Sequence, residues 1–432
     1  MKKLMLTIMI SFMLFSSFKI NGEIEDENWL LFRQVYSLVK ESYVEDKKSD
    51  EMILGALKGL AKATGPECGY ISKENYLRYQ EVKKMEYQLP FYITKEDGFA
   101  KIVSPFSEKI FDIEEGDILK NVEGITIFDL SYPETLIEIK SEKEIELNCS
   151  FIKKGTLKVF EKKIKTTKYQ EPLILKVDEK TCVLQLPCLE YKIPENLKEN
   201  VNSYSKIILD LRFCASDDIE SALIWAGFLF GKGELKISSK GGLKNINYDG
   251  EGIFLKKQCF ILVDSTTARG GEVLTLAGSH NFKIAGINTF GFAAKHQTLT
   301  LKNGDKMIVL EGYFLNKEGE ELKDKSITPD IKIENLSKER NIKFYSELLN
   351  KLKWYLSGNQ NLKKKKSAST KTNKVLTKRS VSKKRKGFYF KKYFLSILIA
   401  SFIFLFLLWR VFVLIPKTRE VKEFTKETKT PL

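Results

Sequence analysis

Residues 265–296, STTARGGEVLTLAGSHNFKIAGINTFGFAAKH, constrain this chain more than any other stretch. They follow an apolar strand, CFILV, that runs into Asp264. GGEVLTLAG then opens a helix, so the segment reads as strand, tight turn and helix. A helix N-terminus carries partial positive charge, and Arg269 stands directly before this one. A cation is unfavourable there unless an anion lies beside it.

Charge and hydropathy place the two ends. Of the formal net charge of +16, residues 363–392 supply +14, with fourteen Lys/Arg and no acid. That run, interleaved with Ser, Thr and Asn, buries no core and is predicted as a disordered linker over 359–392. YFLSILIASFIFLFLLWRVFVLI, 393–415, is long and apolar enough for a transmembrane helix, with a charged tail over 416–432. At the other end, Lys2 and Lys3 precede an apolar run from Leu4 to Phe18, predicting a signal peptide or signal anchor over 1–22.

These features point to a membrane-anchored protein of the cell envelope with its core exported. The positive-inside rule favours the reverse, a cytoplasmic domain in hairpin topology. Anionic lipid is the expected partner of the basic linker. Nucleic acid is not expected, because the linker lacks periodic aromatics. Six cysteines are expected mostly as small buried hydrophobes, since Cys182 and Cys188 could pair only across a turn. With two histidines and scattered cysteines, neither a metal site nor a cofactor is predicted.

Between the ends, 432 residues allow two or three domains. FRQVYSLVKESYVEDKKSDEMILGALKGLAKATGPECGYISKE reads as helical within 28–86 and ends in the turn Thr64, Gly65, Pro66, Glu67, Cys68. In IFDIEEGDILKNVEGITIFDLSYPETLIEI, Gly116 and Gly124 suit tight reversals between half-buried strands. IILDLRFCASDDIESALIWAGFLFG reads as strand to helix, and KSITPDIKI closes the region with Pro329–Asp330.

In this order these segments resemble the carboxyl-terminal processing (tail-specific) proteases. The resemblance implies an α+β protein: an N-terminal helical segment (28–86), a small PDZ-like β-barrel module (87–167) and an α/β core (168–335). That core would carry a mixed sheet of the tail-specific protease, crotonase-like kind, followed by a helix (336–358) and the C-terminal transmembrane helix. The family's nucleophilic serine sits three residues before the glutamate matched by Glu272, which puts Arg269 at its position. Its basic lysine follows the Thr-Phe-Gly matched by Thr289–Gly291, which puts Phe292 there. The glycines of its oxyanion turn map onto Ser216 and Asp217.

A Ser/Lys dyad needs an amine that loses its proton near neutral pH and a hydroxyl to receive attack. Arginine supplies neither, holding its charge with a pKa of roughly 12 or more, and phenylalanine has no titratable atom. Asp217 would add negative charge where an oxyanion must form. The expectation is therefore a degenerate peptidase whose Arg269 pairs with Asp217 or Asp218 to plug the pocket. The alternative for Arg269 is a substrate or partner carboxylate.

Rescue by Ser265 with Lys295, or a triad using His296, would keep an active serine-type endopeptidase. The expected partners are peptide or protein C-terminal segments, the membrane, or an active paralogue. A purely structural envelope protein is a third reading. The loop that would cradle a peptide carboxylate reads Gln88, Leu89, Pro90, Phe91, and proline has no amide to donate.

Overall fold

The structure, a computed structural model, describes residues 27–352 apart from 66, 107–111, 157, 191 and 324. The signal segment, basic linker, 393–415 span and tail read from the sequence lie outside those residues. Among the described residues no helix is long and apolar enough to cross a membrane.

The helical start consists of α1 (Glu27–Ser42), α2 (Ser49–Ala63) and α3 (Lys73–Val82), with strand β1 (Gly69–Ile71) between the last two. α1 buries none of its residues. α3 starts cleanly because the Ser72 hydroxyl accepts the Asn75 N–H at 3.2 Å, satisfying an otherwise orphaned donor.

Next comes a β-module. Its sheet runs in the order β3 (Phe91–Glu96), β4 (Phe99–Pro105), β5 (Ile118–Val122), β8 (Glu146–Ile152), β9 (Val159–Lys165), with β6 (Ile125–Thr126) on β5. All these pairs are antiparallel. Helix α4 (Tyr132–Ile139) turns Tyr132, Leu136 and Ile139 into the module's own apolar cluster with Phe91, Ile102 and Phe151. A capping box sets its start: Ser131 accepts from the Glu134 N–H while Glu134 accepts from the Ser131 N–H. β2 (Tyr87–Gln88) lies between β7 (Lys140–Ser141) and β10 (Thr167–Lys168), so the chain enters and leaves the module side by side.

The core is built on a sheet in the order β11 (Leu173–Lys176), β12 (Thr181–Gln185), β13 (Lys206–Asp210), β16 (Gln258–Val263), β17 (Lys283–Gly286), β20 (Ile331–Lys332). Only β11 is antiparallel to its neighbour, so the sheet is mixed. The strands are continuous apolar runs because both faces are covered. Ile207 and Leu209 pack with Trp225 of α6 (Ile219–Phe230) and Leu274 of α7 (Gly270–Ser279). Ile208 and Leu262 face the opposite way, onto Tyr345, Leu348 and Leu352 of a last helix, α8, spanning 342–352. The short helix α5 (Leu197–Asn202) joins β12 to β13.

A second, antiparallel sheet contains β14 (Gly233–Ser239), β15 (Gly242–Tyr248), β18 (Ala294–Thr300) and β19 (Lys306–Phe314), with β1 on its edge. The observed class is α+β, as the sequence implies. All six cysteines are buried and none is in a disulfide.

Candidate functional site

β13 and β16 are adjacent parallel strands, and both turns that matter leave their C-terminal ends. Such ends are where open α/β sheets gather ligands and chemistry. The Ala268 N–H donates to Cys214 O at 2.9 Å and the Gly270 N–H to Ser216 O at 2.9 Å, which locks the two turns together. The approach is close enough that a Cβ on Gly271 would lie 2.2 Å from Cys214 O. A third segment joins them. The Arg269 N–H donates to Phe292 O at 3.0 Å, and the Phe290 N–H to Thr267 O at 3.0 Å.

Glu272 organises this junction. It is fully buried, and its carboxylate accepts the N–H groups of Gly291 (2.8 Å), Phe292 (2.9 Å) and Arg269 (3.3 Å) along with the Thr289 hydroxyl. Burial raises its pKa to about 7, against these donors, which favour the charged form. Arg269 itself has φ 51°, a conformation strained for any residue but glycine.

The Arg269 side chain is 3% exposed. The carboxylate that meets its guanidinium is Glu67, which also accepts the Thr94 hydroxyl at 3.0 Å. The other arm donates to the Tyr132 hydroxyl at 2.9 Å, with the guanidinium 5.0 Å above the Tyr132 ring. Tyr132 in turn donates to Asp217 at 2.8 Å. Arg269 and Asp217 are therefore bridged by a phenol rather than in direct contact. The reason is topological, because the 64–68 turn brings a carboxylate nearer than the 216–218 turn does. Asp218 is occupied as the N-cap of α6, its carboxylate accepting the Glu220 N–H and the Ser221 hydroxyl. Burial pulls the Arg269 pKa down to about 9, which still leaves it a cation at neutral pH.

Beyond Asp217 lies Glu190, whose carboxylate accepts from Tyr92 (3.3 Å), the Cys188 thiol (3.2 Å) and the Leu189 N–H (3.1 Å). Burial, then the Asp217 charge, raises Glu190 to about 7. Asp217 moves the other way: burial pushes it up, but Lys140, a proton shared from Glu190 and the Tyr132 hydroxyl bring it below its ordinary value. The result is a line of groups, Glu67, Arg269, Tyr132, Asp217 and Glu190, in which one cation lies among three acids.

The structure sets Arg269 and Phe292 side by side. Ser216 and Asp217 share the same junction. Phe292 is half-buried, its ring edge-on to Tyr313. Ser265 and Lys295 bond elsewhere: the Ser265 hydroxyl donates to Glu115 of the module (3.3 Å), while Lys295 meets Glu311 (3.1 Å). His296 stands on β18, across a bulge from Lys295. In the 88–91 loop the Leu89 N–H is spent on Ile139 O and the Phe91 N–H on Leu89 O. Neither amide is open to a peptide carboxylate. Sequence reasoning missed Glu67, Tyr132 and Glu190 as site residues. Only Glu67 left a signal, as an acid within the 64–68 turn.

Comparison with known proteins bears on the family and the fold. Residues 180–333 match the family model described as Peptidase family S41. The Carboxy-terminal processing protease CtpA of Bacillus subtilis is 23% identical over 329 residues, covering 72% of this chain and 70% of the relative. A Probable CtpA-like serine protease of Staphylococcus aureus is 23% identical, covering 74% and 68%. Among solved structures, the photosystem II D1 C-terminal processing protease superposes with a TM-score of 0.55 at 16% identity, over 72% of this chain and 88% of that one. At that identity the likeness speaks for the fold alone.

Proposed function

Because the chain is a relative of the carboxyl-terminal processing proteases with an S41-type core, we propose that it works as a catalytically silent, membrane-tethered homologue that binds peptide segments or a partner protein in the cell envelope. One observation carries the reading: the position of the nucleophile holds Arg269, buried and paired with Glu67, beside Phe292 at the position of the base. No oxygen nucleophile and no neutral amine stand at those two positions, and both are required for acyl transfer by such a dyad. The Asp217 charge beside the oxyanion turn works against the same step.

The order of strands and capping helix in the β-module supports a PDZ-like reading. Peptide capture would then use strand addition at a sheet edge rather than the 88–91 loop. The tether is supported by the 1–22 and 393–415 apolar runs and the basic stretch between 359 and 392.

The test is digestion of an unfolded protein substrate by the purified chain, beside a Ser265→Ala control and an Arg269→Ser, Phe292→Lys double variant. We expect the parent to match the control. Turnover well above that control would establish the alternative, an active endopeptidase using a displaced dyad.

A further inference from the structure

We propose that the β-module, Tyr87–Lys168, is clasped to the core by the side chains that surround Arg269, and that this clasp sets how tightly the module closes on the core. Only the two-residue strands β2 and β10 connect the module covalently, side by side through Thr167 opposite Gln88 and Lys168 opposite Tyr87. α4 also rests on α3 and β1, where Gly69 lies beneath Ser131. Across the seam to the core lies a small buried apolar cluster, in which Tyr92, Val103 and Phe106 of the module meet Cys188, Ala215 and Ala268.

The polar contacts are directional. Tyr132, the first residue of α4, accepts from Arg269 at 2.9 Å and donates to Asp217 at 2.8 Å, so one hydroxyl from the module ties both core turns. Glu67 receives Arg269 on one side and Thr94 of β3 on the other. Tyr92 reaches Glu190 and Ser265 reaches Glu115, each at 3.3 Å. Hydrogen bonds to charged groups are among the stronger ones and fix geometry as well as energy. Four of the contacting core groups lie on the turns that end β12, β13 and β16. The residues of the former dyad region thus act as a latch for a neighbouring module, which is independent of whether any peptidase activity survives.

The experiment is amide hydrogen exchange of the full chain in detergent, comparing the parent with Tyr132→Phe. Removing one hydroxyl keeps the ring and its packing while deleting both hydrogen bonds. We expect exchange in segments 130–136 and 213–217 to accelerate about tenfold or more, from the loss of charge-assisted bonds, with β12, β13 and β16 unchanged. Tyr345→Phe, which removes a buried hydroxyl bonded to Asp210 away from the seam, should leave those two segments as they are. Tyr92→Phe should accelerate the same segments less. Unchanged exchange at the seam in Tyr132→Phe, uniform acceleration through the core, or equal acceleration in Tyr345→Phe would overturn the proposal.

Discussion

Arg269 and Glu67 are each costly to bury alone and tolerable together. Removing one partner of a buried pair typically costs about 3–5 kcal/mol, whereas replacing both by apolar residues of similar size is often near neutral. Arg269→Ala is therefore expected to lower stability by about that amount, and Arg269→Met with Glu67→Leu by much less, as read from urea midpoints of the full chain. Glu190 gives a pH signature. Its folded pKa of about 7 lies above the ordinary 4.5, so the protonated form is the stabilising one. That contribution is complete below pH 4.5 and disappears as pH rises through about 7. Glu190→Gln, which stays neutral, should flatten the fall in stability across that range in a pH series of unfolding midpoints. At this scale the sequence made Arg269 and Phe292 stand out by position. It did not reveal what surrounds them, because Tyr132 and Glu190 reach the site only through tertiary packing between separate parts of the chain.

Among the elements, the strands of the core sheet were legible because burial on both faces turns β13 and β16 into unbroken apolar runs, IIL and CFILV. The helix predicted after GG is there as α7. The neck formed by β2 and β10 was not legible, since two-residue strands carry no period. Gly271 marks where two turns touch: with Cys214 O only 2.2 Å from a would-be Cβ, Gly271→Ala must move backbone. The expected loss is at least about 1–3 kcal/mol, visible as a lowered melting temperature. The Asp210–Arg212 pair shows a different use of the Leu-Asp-Leu-Arg stretch. Its fully buried guanidinium donates to Asp210, to Ser337 O and to Glu339 O, while the Tyr345 hydroxyl donates to Asp210. The motif thereby pins the segment entering α8 to the end of β13.

For the molecule as a whole, no sequence pattern signals that the residues after 336 complete the core. Tyr345, Leu348, Leu349 and Leu352 cover the face of the sheet formed by Val183, Ile208, Leu262 and Ala285. A chain ended at residue 336 would expose that face, and we expect it to be recovered only as aggregate, checked by soluble yield and size-exclusion profile. The match to S41 ends at residue 333, just before this covering begins, so the boundary of the recognisable family core and the boundary of the foldable unit do not coincide.

The left-handed backbone at Arg269, φ 51°, does not depend on its side chain, because Glu272, Phe292 and the Ser216 turn hold it in place through main-chain hydrogen bonds. Backbone posture and side chain are thereby uncoupled. A hydroxyl installed at 269 would inherit a bend already wound, leaving the architecture untouched.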